Sequence, residues 1–439
     1  MLYLLAISIL VLSIVGIIMT KLRDLLEPAL GIILMHVLFF VIRPLSVSSG
    51  IPAFYPIHEP EVILMTFIGI LSLSGFYAGY FANFPRLIAK RLPFVTHTKR
   101  NSLTAIFFLY ILAGLTGALY VFHQIGIQKI LHSPIQLAYA MKVGGGYLGL
   151  MIGMVKIALW LFCALTLFSC ARTKSLLHYG SLFLLLFFVI GLTLLEGLRG
   201  EVFRVVGVLL VLWFYSRVQR VQLNWLVILL PLLFFAGWLI LVPLNLFRHF
   251  GVVEWSIATN ASWVWGQLQS FLQPFDWGAY LVQKINNGDL KPFLFSPYLN
   301  LLIAFVPRRL WPGKPVISIE YLLTERFVGD PSVVPTLTMT LPGELHLELP
   351  FAGVIIGMAF LGMVLRALYE YRLLHSNNWL ANFLFANIYI ATLKSFYTSF
   401  QTWVMEIIVF IALITPVVIT GTKLKTARRK RGRNENCNY

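Results

Sequence analysis

Charge is what this chain has least of. Asp, Glu, Lys and Arg make up only 12% of 439 residues, roughly half the share of a soluble domain. Acidic residues are the scarcer kind, 17 against 34 Lys and Arg. Cysteine is nearly absent. Cys163 and Cys170 lie in or at the end of an apolar segment and Cys437 in the tail, so neither a disulfide framework nor a zinc spacing exists, and the redox compartment is left open. There is no P-loop, H-E-x-x-H or G-x-S-x-G run, so nothing points to direct use of ATP. Period-two alternation of a β-barrel is missing, and so are internal repeats of the inverted-repeat transporter kind.

What is present is apolar: 59% of the residues are hydrophobic. Runs of 17 residues or more are long enough to cross a hydrocarbon core of roughly 30 Å as helices, where the backbone must pair internally. The pattern predicts an all-α integral membrane protein, a polytopic bundle of about 11 transmembrane helices. They are expected at 2–20, 26–42, 62–84, 103–122, 147–169, 180–196, 202–216, 224–246, 350–369, 378–397 and 403–421. Residues 1–246 form a bundle of about eight spans, 247–349 one large extracytoplasmic loop region, 350–421 the remaining spans, and 422–439 a basic cytoplasmic tail. The first segment, "MLYLLAISILVLSIVGIIMTKLR", has no basic n-region and no A-x-A-like cleavage site, and reads as a retained membrane helix.

Alternate connections are short and basic: "KLRD", "RLIAKRLPFVTHTKR", "ARTK", "SRVQR", "YR" and a tail with seven Lys or Arg between Lys423 and Arg433. Placed in the cytoplasm, they put the N-terminus outside and the C-terminus inside. A net charge of +17 is then first a positive-inside bias and only second a site for an anionic substrate; nucleic acid is not implied. The stretch from Arg248 to Leu349 faces outward and carries seven cations: Arg248, Lys284, Lys291, Arg308, Arg309, Lys314 and Arg326. Loops of that length are usually functional. Within it, "SPYLNLLIAFVP" (296–307) is too short to span and has the character of a re-entrant or interfacial helix.

Three constellations face outward. In "LLEGLRGEVFRVV" (194–206), Gly197 and Gly200 open the backbone while Arg199 and Arg204 offer cations, with Arg204 expected in the first turn of the next helix. A hairpin turn with a local ion pair is the plainer alternative. In "VPRRLWPGKP" (306–315), Arg308 and Arg309 supply guanidinium forks matched to phosphate oxygens and Lys314 a point charge. Pro307, Pro312 and Pro315 stiffen the run, and Trp311 suits a membrane interface or a sugar face. Its plainer alternative is a basic loop resting on lipid headgroups. In "PTLTMTLPGELHLELPFAG" (335–353), an extended backbone would align Glu344, His346 and Glu348 on one face, where a carboxylate or imidazole takes a proton from a sugar hydroxyl. A solvated loop rim is the plainer alternative. Asp276, in "QPFDWGAY", is an acid among aromatics. Inside helices, Lys156, Lys394 and Glu406 are too few for a proton relay and read as packing partners or cavity lining.

The order of "GLRG", "VPRRLWPGKP" and "PTLTMTLPGELHLELPFAG" resembles the oligosaccharide repeat-unit polymerases, the Wzy-type O-antigen and exopolysaccharide polymerases of bacteria. The resemblance covers the whole chain in topology but only about residues 196–353 in motif. It implies a GT-C-like glycosyltransferase of the bacterial cytoplasmic (inner) membrane, free of metal and cofactor. Such an enzyme moves a glycan from undecaprenyl diphosphate to the non-reducing end of another lipid-linked repeat unit. Arg199, Arg204, Arg308, Arg309 and Lys314 would then hold the diphosphate, Trp311 would stack on sugar, and Glu344, or else His346, would be the general base. The bilayer, the undecaprenyl-diphosphate-linked oligosaccharide, a chain-length regulator and a flippase are the partners it implies. An O-antigen ligase shares the architecture, and a flippase or transporter of the same saccharide is the reading from a different class.

Overall fold

The structure, a computed structural model, describes residues 1–53, 57–92, 95–98, 100–125, 146–173, 180, 199–222, 225, 261–301 and 338–424, with residues 303, 306, 311, 313, 319 and 323. Its helices run in chain order as α1 (Leu2–Thr20), α2 (Pro28–Ser48), α3 (Glu59–Tyr80), α4 (Phe84–Arg91), α5 (Arg100–Ile125), α6 (Gly146–Thr173), α7 (Arg199–Tyr215) and α8 (Ala261–Asn286). There follow α9 (Ser296–Leu301), α10 (Leu341–Glu348), α11 (Ala352–Leu374), α12 (Trp379–Ser395) and α13 (Phe400–Gly421). One short antiparallel pairing, β1 (Val95–Thr98) with β2 (Thr422–Leu424), joins the chain after α4 to the chain after α13.

Four described helices, α1, α2, α3 and α11, are long and apolar enough to cross a membrane. Shorter apolar stretches, Phe108–Gly117, Met154–Phe168, Phe203–Tyr215 and Trp403–Pro416, lie within α5, α6, α7 and α13. This is the construction of a helical membrane protein. Each helix expected from hydropathy that falls on described residues is present, with ends moved by a few residues; 180–196 and 224–246 lie outside them except for residues 180 and 225.

Two apolar cores sit side by side. One is built from α1–α3, α8, α10 and α11 and includes Phe39, Met65, Phe76, Phe275 and Met358. The other, from α6, α7, α12 and α13, includes Trp160, Leu161, Leu212, Phe383 and Phe410. Lipid tails are as apolar as leucine, so helices in a bilayer associate by close packing and polar contacts rather than by hydrophobic expulsion. The α3–α11 contact works this way. A Cβ on Gly79 would run into the carbonyl oxygen of Ala359, and one on Gly362 into that of Phe76, so both positions need glycine for the backbones to meet. Polar contacts do the rest. His36 Nδ1–H donates to Ile32 O at 2.8 Å, which leaves Nε2 to accept from the Ser72 hydroxyl at 2.7 Å and ties α2 to α3.

One end of the bundle is stitched by buried acids. Asp24, in the α1–α2 turn, accepts hydrogen bonds from the Tyr215 and Tyr369 hydroxyls at 3.0 and 2.9 Å and from Val221 N at 3.0 Å. Glu27 accepts from Tyr80 Oη at 3.1 Å and Arg366 Nη1 at 2.9 Å. Arg372 stacks over the Tyr215 ring at 3.4 Å and donates to Asn382 Oδ1 at 3.1 Å. The turns leaving α1, α3, α7 and α11 are therefore held at one level.

The stretch 247–349, expected as a large loop region without a full span, holds helices among its described residues. It contains α8, 26 residues long, whose buried face packs Leu272, Phe275, Ala279 and Val282 into the first core. Hydropathy missed α8 because Gln269, Gln273, Asp276, Lys284 and an internal Pro274 dilute its apolar face. The carbonyl of Pro274, the proline inside α8, accepts from Thr340 N at 3.3 Å and ties α8 to the residue that starts α10. Within 296–307 the described residues include α9, over Ser296–Leu301.

Candidate functional site

The end of the bundle opposite Asp24 gathers the polar residues that the sequence singled out. Residues 341–348 are helical rather than extended. Thr340 starts the helix, its hydroxyl accepting from Gly343 N at 3.3 Å, and Pro342 falls in the first turn, where its missing N–H is harmless. On a helix, positions four apart share a face and positions two apart do not. Glu344 and Glu348 therefore sit together and His346 points elsewhere; all three are sealed from solvent.

Glu344 is fully engaged. Its Oε1 accepts from the Tyr298 hydroxyl at 2.6 Å and Gln401 N at 2.8 Å, and its Oε2 from Phe400 N at 2.5 Å. The carboxylate thus caps the first turn of α13, taking N–H groups that have no partner within the helix and facing the positive end of its dipole. The Tyr298 hydroxyl is pushed well above its ordinary pKa, by burial first and by the Glu344 charge second. Tyr298 carried no sequence signal beyond its place in 296–307.

Glu348 is different. Oε2 accepts from Phe295 N at 2.5 Å, while Oε1 has no hydrogen-bond partner among the described residues. Burial raises its pKa to about 7; the Phe295 N–H works against that rise, and the nearby Glu344 charge adds to it. The strap over it is strained: Leu294 and Phe295 both have positive φ, 50° and 63°, which side-chain-bearing residues seldom adopt. Leu294 N–H also donates to the Glu348 carbonyl at 3.1 Å.

His346 is held neutral. Phe351 N–H donates to its Nδ1 at 3.3 Å, so the ring proton is on Nε2, which is buried with no partner among the described residues. Burial lowers its pKa to about 4. With Nδ1 occupied and Nε2 a donor, the ring has no free lone pair with which to take a proton.

The second cluster lies further along α13. Arg204 donates to Glu406 Oε2 at 2.8 Å and lies 5.2 Å from the Trp160 ring centre. Lys394 bridges Glu406, at 2.5 Å, and Glu201. Arg204 is in the second turn of α7, not the first, because that helix begins at Arg199. Lys394 and Glu406 are thus packing partners, as their position inside helices implied. From Gln401 to Glu406 is about 8 Å along an α-helix, so the two clusters are stacked on one element.

Of the other expected residues, Arg308, Arg309 and Lys314 lie outside the described residues, and so does the side chain of Arg199. Trp311 is 43% exposed. Near that run the structure fixes Ile319, whose N–H donates to Gln401 Oε1 at 2.8 Å. No group of three or more His, Cys, Asp or Glu among the described residues forms a metal cluster. Comparison with protein-family models, curated proteins and solved structures gives no match.

Proposed function

We propose that the chain is a membrane glycosyltransferase that polymerises lipid-linked oligosaccharide repeat units. In it the N-terminus and the Glu344–Glu348 end face outward and the Asp24 end faces the cytoplasm, within a bundle of about 11 spans of the GT-C-like kind. The observation that carries the reading is one juxtaposition at the start of α13. Glu344 caps that helix, Glu348 presents a buried carboxyl oxygen without a partner among the described residues, and Gln401 anchors Ile319, which follows the "PRRLWPGKP" run by four residues. An acid–base group and cations for the departing diphosphate are what glycosyl transfer from a lipid diphosphate requires.

In the proposed step, a sugar hydroxyl of the acceptor repeat unit attacks the anomeric carbon of the donor. The bond from that carbon to the phosphate oxygen breaks, and its electron pair leaves on undecaprenyl diphosphate. Arg199, Arg308, Arg309 and Lys314 stabilise the departing charge, the largest lever such a site has. Arg204, paired with Glu406, shapes the same field from α7. The hydroxyl proton passes to Glu348 Oε1, because Glu344 is committed to the cap and His346 offers only a donor. The donor arrives activated, so no nucleotide is needed.

Reconstitution in vesicles with an undecaprenyl-diphosphate-linked repeat unit tests the reading. Longer lipid-linked chains are expected. Transfer to a different lipid acceptor would instead make the chain a ligase, and relocation across the bilayer without any new bond a flippase.

A further inference from the structure

The connection "RLIAKRLPFVTHTKR" begins as a helix, α4, which packs against the last turns of α11. Its buried side is Pro85 and Ala89, and Ala89 packs with Tyr371 and Ala381. Turning the helix away from that contact exposes an apolar edge: Phe84 is 59% exposed and Leu87 53%, and Leu92 just beyond the helix is 40% exposed. Lys90 and Arg91 are exposed beside this edge, and Arg86, itself half exposed, reaches Glu370 at 3.2 Å. An eight-residue helix with one side on protein, the next apolar and the rest cationic matches neither a solvent-facing connector nor a span.

The surroundings carry the same sign. At this end Lys21, Arg23, Arg217 and Arg220 are also exposed. The acids of this end are turned inward: Asp24 and Glu27 are buried, and Glu370 pairs with Arg366 at 2.6 Å as well as with Arg86. The opposite end differs. There the exposed Glu59 and Asp289 stand against Lys291, and Lys284 is paired with Asp289 at 3.1 Å. Among the described residues, one end is a collar of cations with its acids internalised and the other is mixed.

We propose that α4 lies in the headgroup plane, with Phe84 and Leu87 set into the acyl boundary, and that Arg86, Lys90 and Arg91 bind anionic phospholipid. The occupant follows from charge and position together. A flexible polyanion would satisfy the cations but leave Phe84 and Leu87 in water, and a neutral lipid would bury the apolar edge but leave the cations without counter-charge. An anionic phospholipid does both. The inference is independent of the reaction at the other end of the bundle.

The test uses the full chain in nanodiscs of phosphatidylcholine alone or mixed with phosphatidylglycerol. A fluorophore is placed at Leu87→Cys after the three native cysteines are replaced. A lipid-dissolved nitroxide is expected to quench it and aqueous iodide to leave it bright. Quenching by iodide alone, or by neither agent (the result if another protein covers α4), overturns the proposal. In parallel, phosphatidylglycerol retained by the protein is counted by native mass spectrometry for wild type and for Lys90→Gln/Arg91→Gln, a variant that leaves the Arg86–Glu370 pair in place. Retention is expected to fall about fivefold per cation removed at low salt and to weaken as salt screens the rest. Equal retention in a variant that melts like wild type also overturns it. The fluorescence result needs no charge variant to fold.

Discussion

Arg43 grips both carboxylate oxygens of Asp276, Nε to Oδ1 at 2.9 Å and Nη2 to Oδ2 at 2.5 Å, and neither side chain has any exposed surface. The pair joins the end of α2 to the middle of α8, and Gln269 Oε1 accepts a hydrogen bond from Arg43 Nη1. Arg43 follows directly on the π-helical turn Leu38–Ile42, which alters the rotation of α2 at that point.

Removing one partner of a buried pair strands the other charge. Asp276→Ala is expected to lower stability by about 3–5 kcal/mol. Thermal melting of the detergent-solubilised chain reads this, and a variant melting within a degree or so of wild type would show the pair to be dispensable. Asp276→Ala with Arg43→Met should recover much of the loss, since no charge is then left unpaired.

The α3–α11 contact tolerates nothing larger than hydrogen at Gly79. Gly79→Leu should force the helices apart and reduce the yield of folded protein, because overpacking costs about 1–3 kcal/mol or more. The same substitution at Gly50, with nothing among the described residues near its would-be Cβ but a φ of +94°, should show backbone strain only. Size-exclusion profiles of the two variants separate the causes.

Glu348 makes stability depend on pH. Its folded pKa of about 7 is above an unfolded value of about 4.3, so the folded state binds the extra proton. The stabilisation from that proton is complete below the unfolded value and is lost as pH rises through about 7. Melting temperature should fall between those limits, and Glu348→Gln should flatten that part of the profile. A wild-type profile already flat from pH 4.5 to 8 would show that the carboxyl is not held protonated.

The two glutamates should separate in function. Glu344→Gln keeps a cap oxygen but loses charge at the start of α13, and is expected to lower stability by about 1 kcal/mol while slowing chain extension only modestly. Glu348→Gln removes the proton acceptor and is expected to slow extension by about 10²–10⁴-fold at normal protein abundance. The opposite ranking would return the role of base to Glu344.

Orientation can be read directly. Cysteines placed at Asp289 and at Arg220, both exposed, lie at opposite ends of the bundle. An impermeant maleimide added to intact cells should modify the first and spare the second. Modification of position 220 alone would invert the orientation and remove the outward-facing site.

The sequence by itself determined that this is a helical membrane protein and where most of its helices run, because backbone in lipid must satisfy itself and long apolar runs announce the solution. It also marked Glu344, His346 and Glu348, because charged residues are scarce enough to stand out. Tertiary structure decided what each one does. Hydropathy averages over all sides of a helix, so α8, apolar on its buried side only, was invisible until that side met α3 and α10. Alternation along 344–348 could be read as a strand or as two turns of helix, and the Thr340 cap with Pro342 settled it as helix. Which glutamate keeps an oxygen without a partner among the described residues depended on the backbone donors of Phe400, Gln401 and Phe295, which lie about fifty residues away in the chain and are brought within 3 Å only by folding.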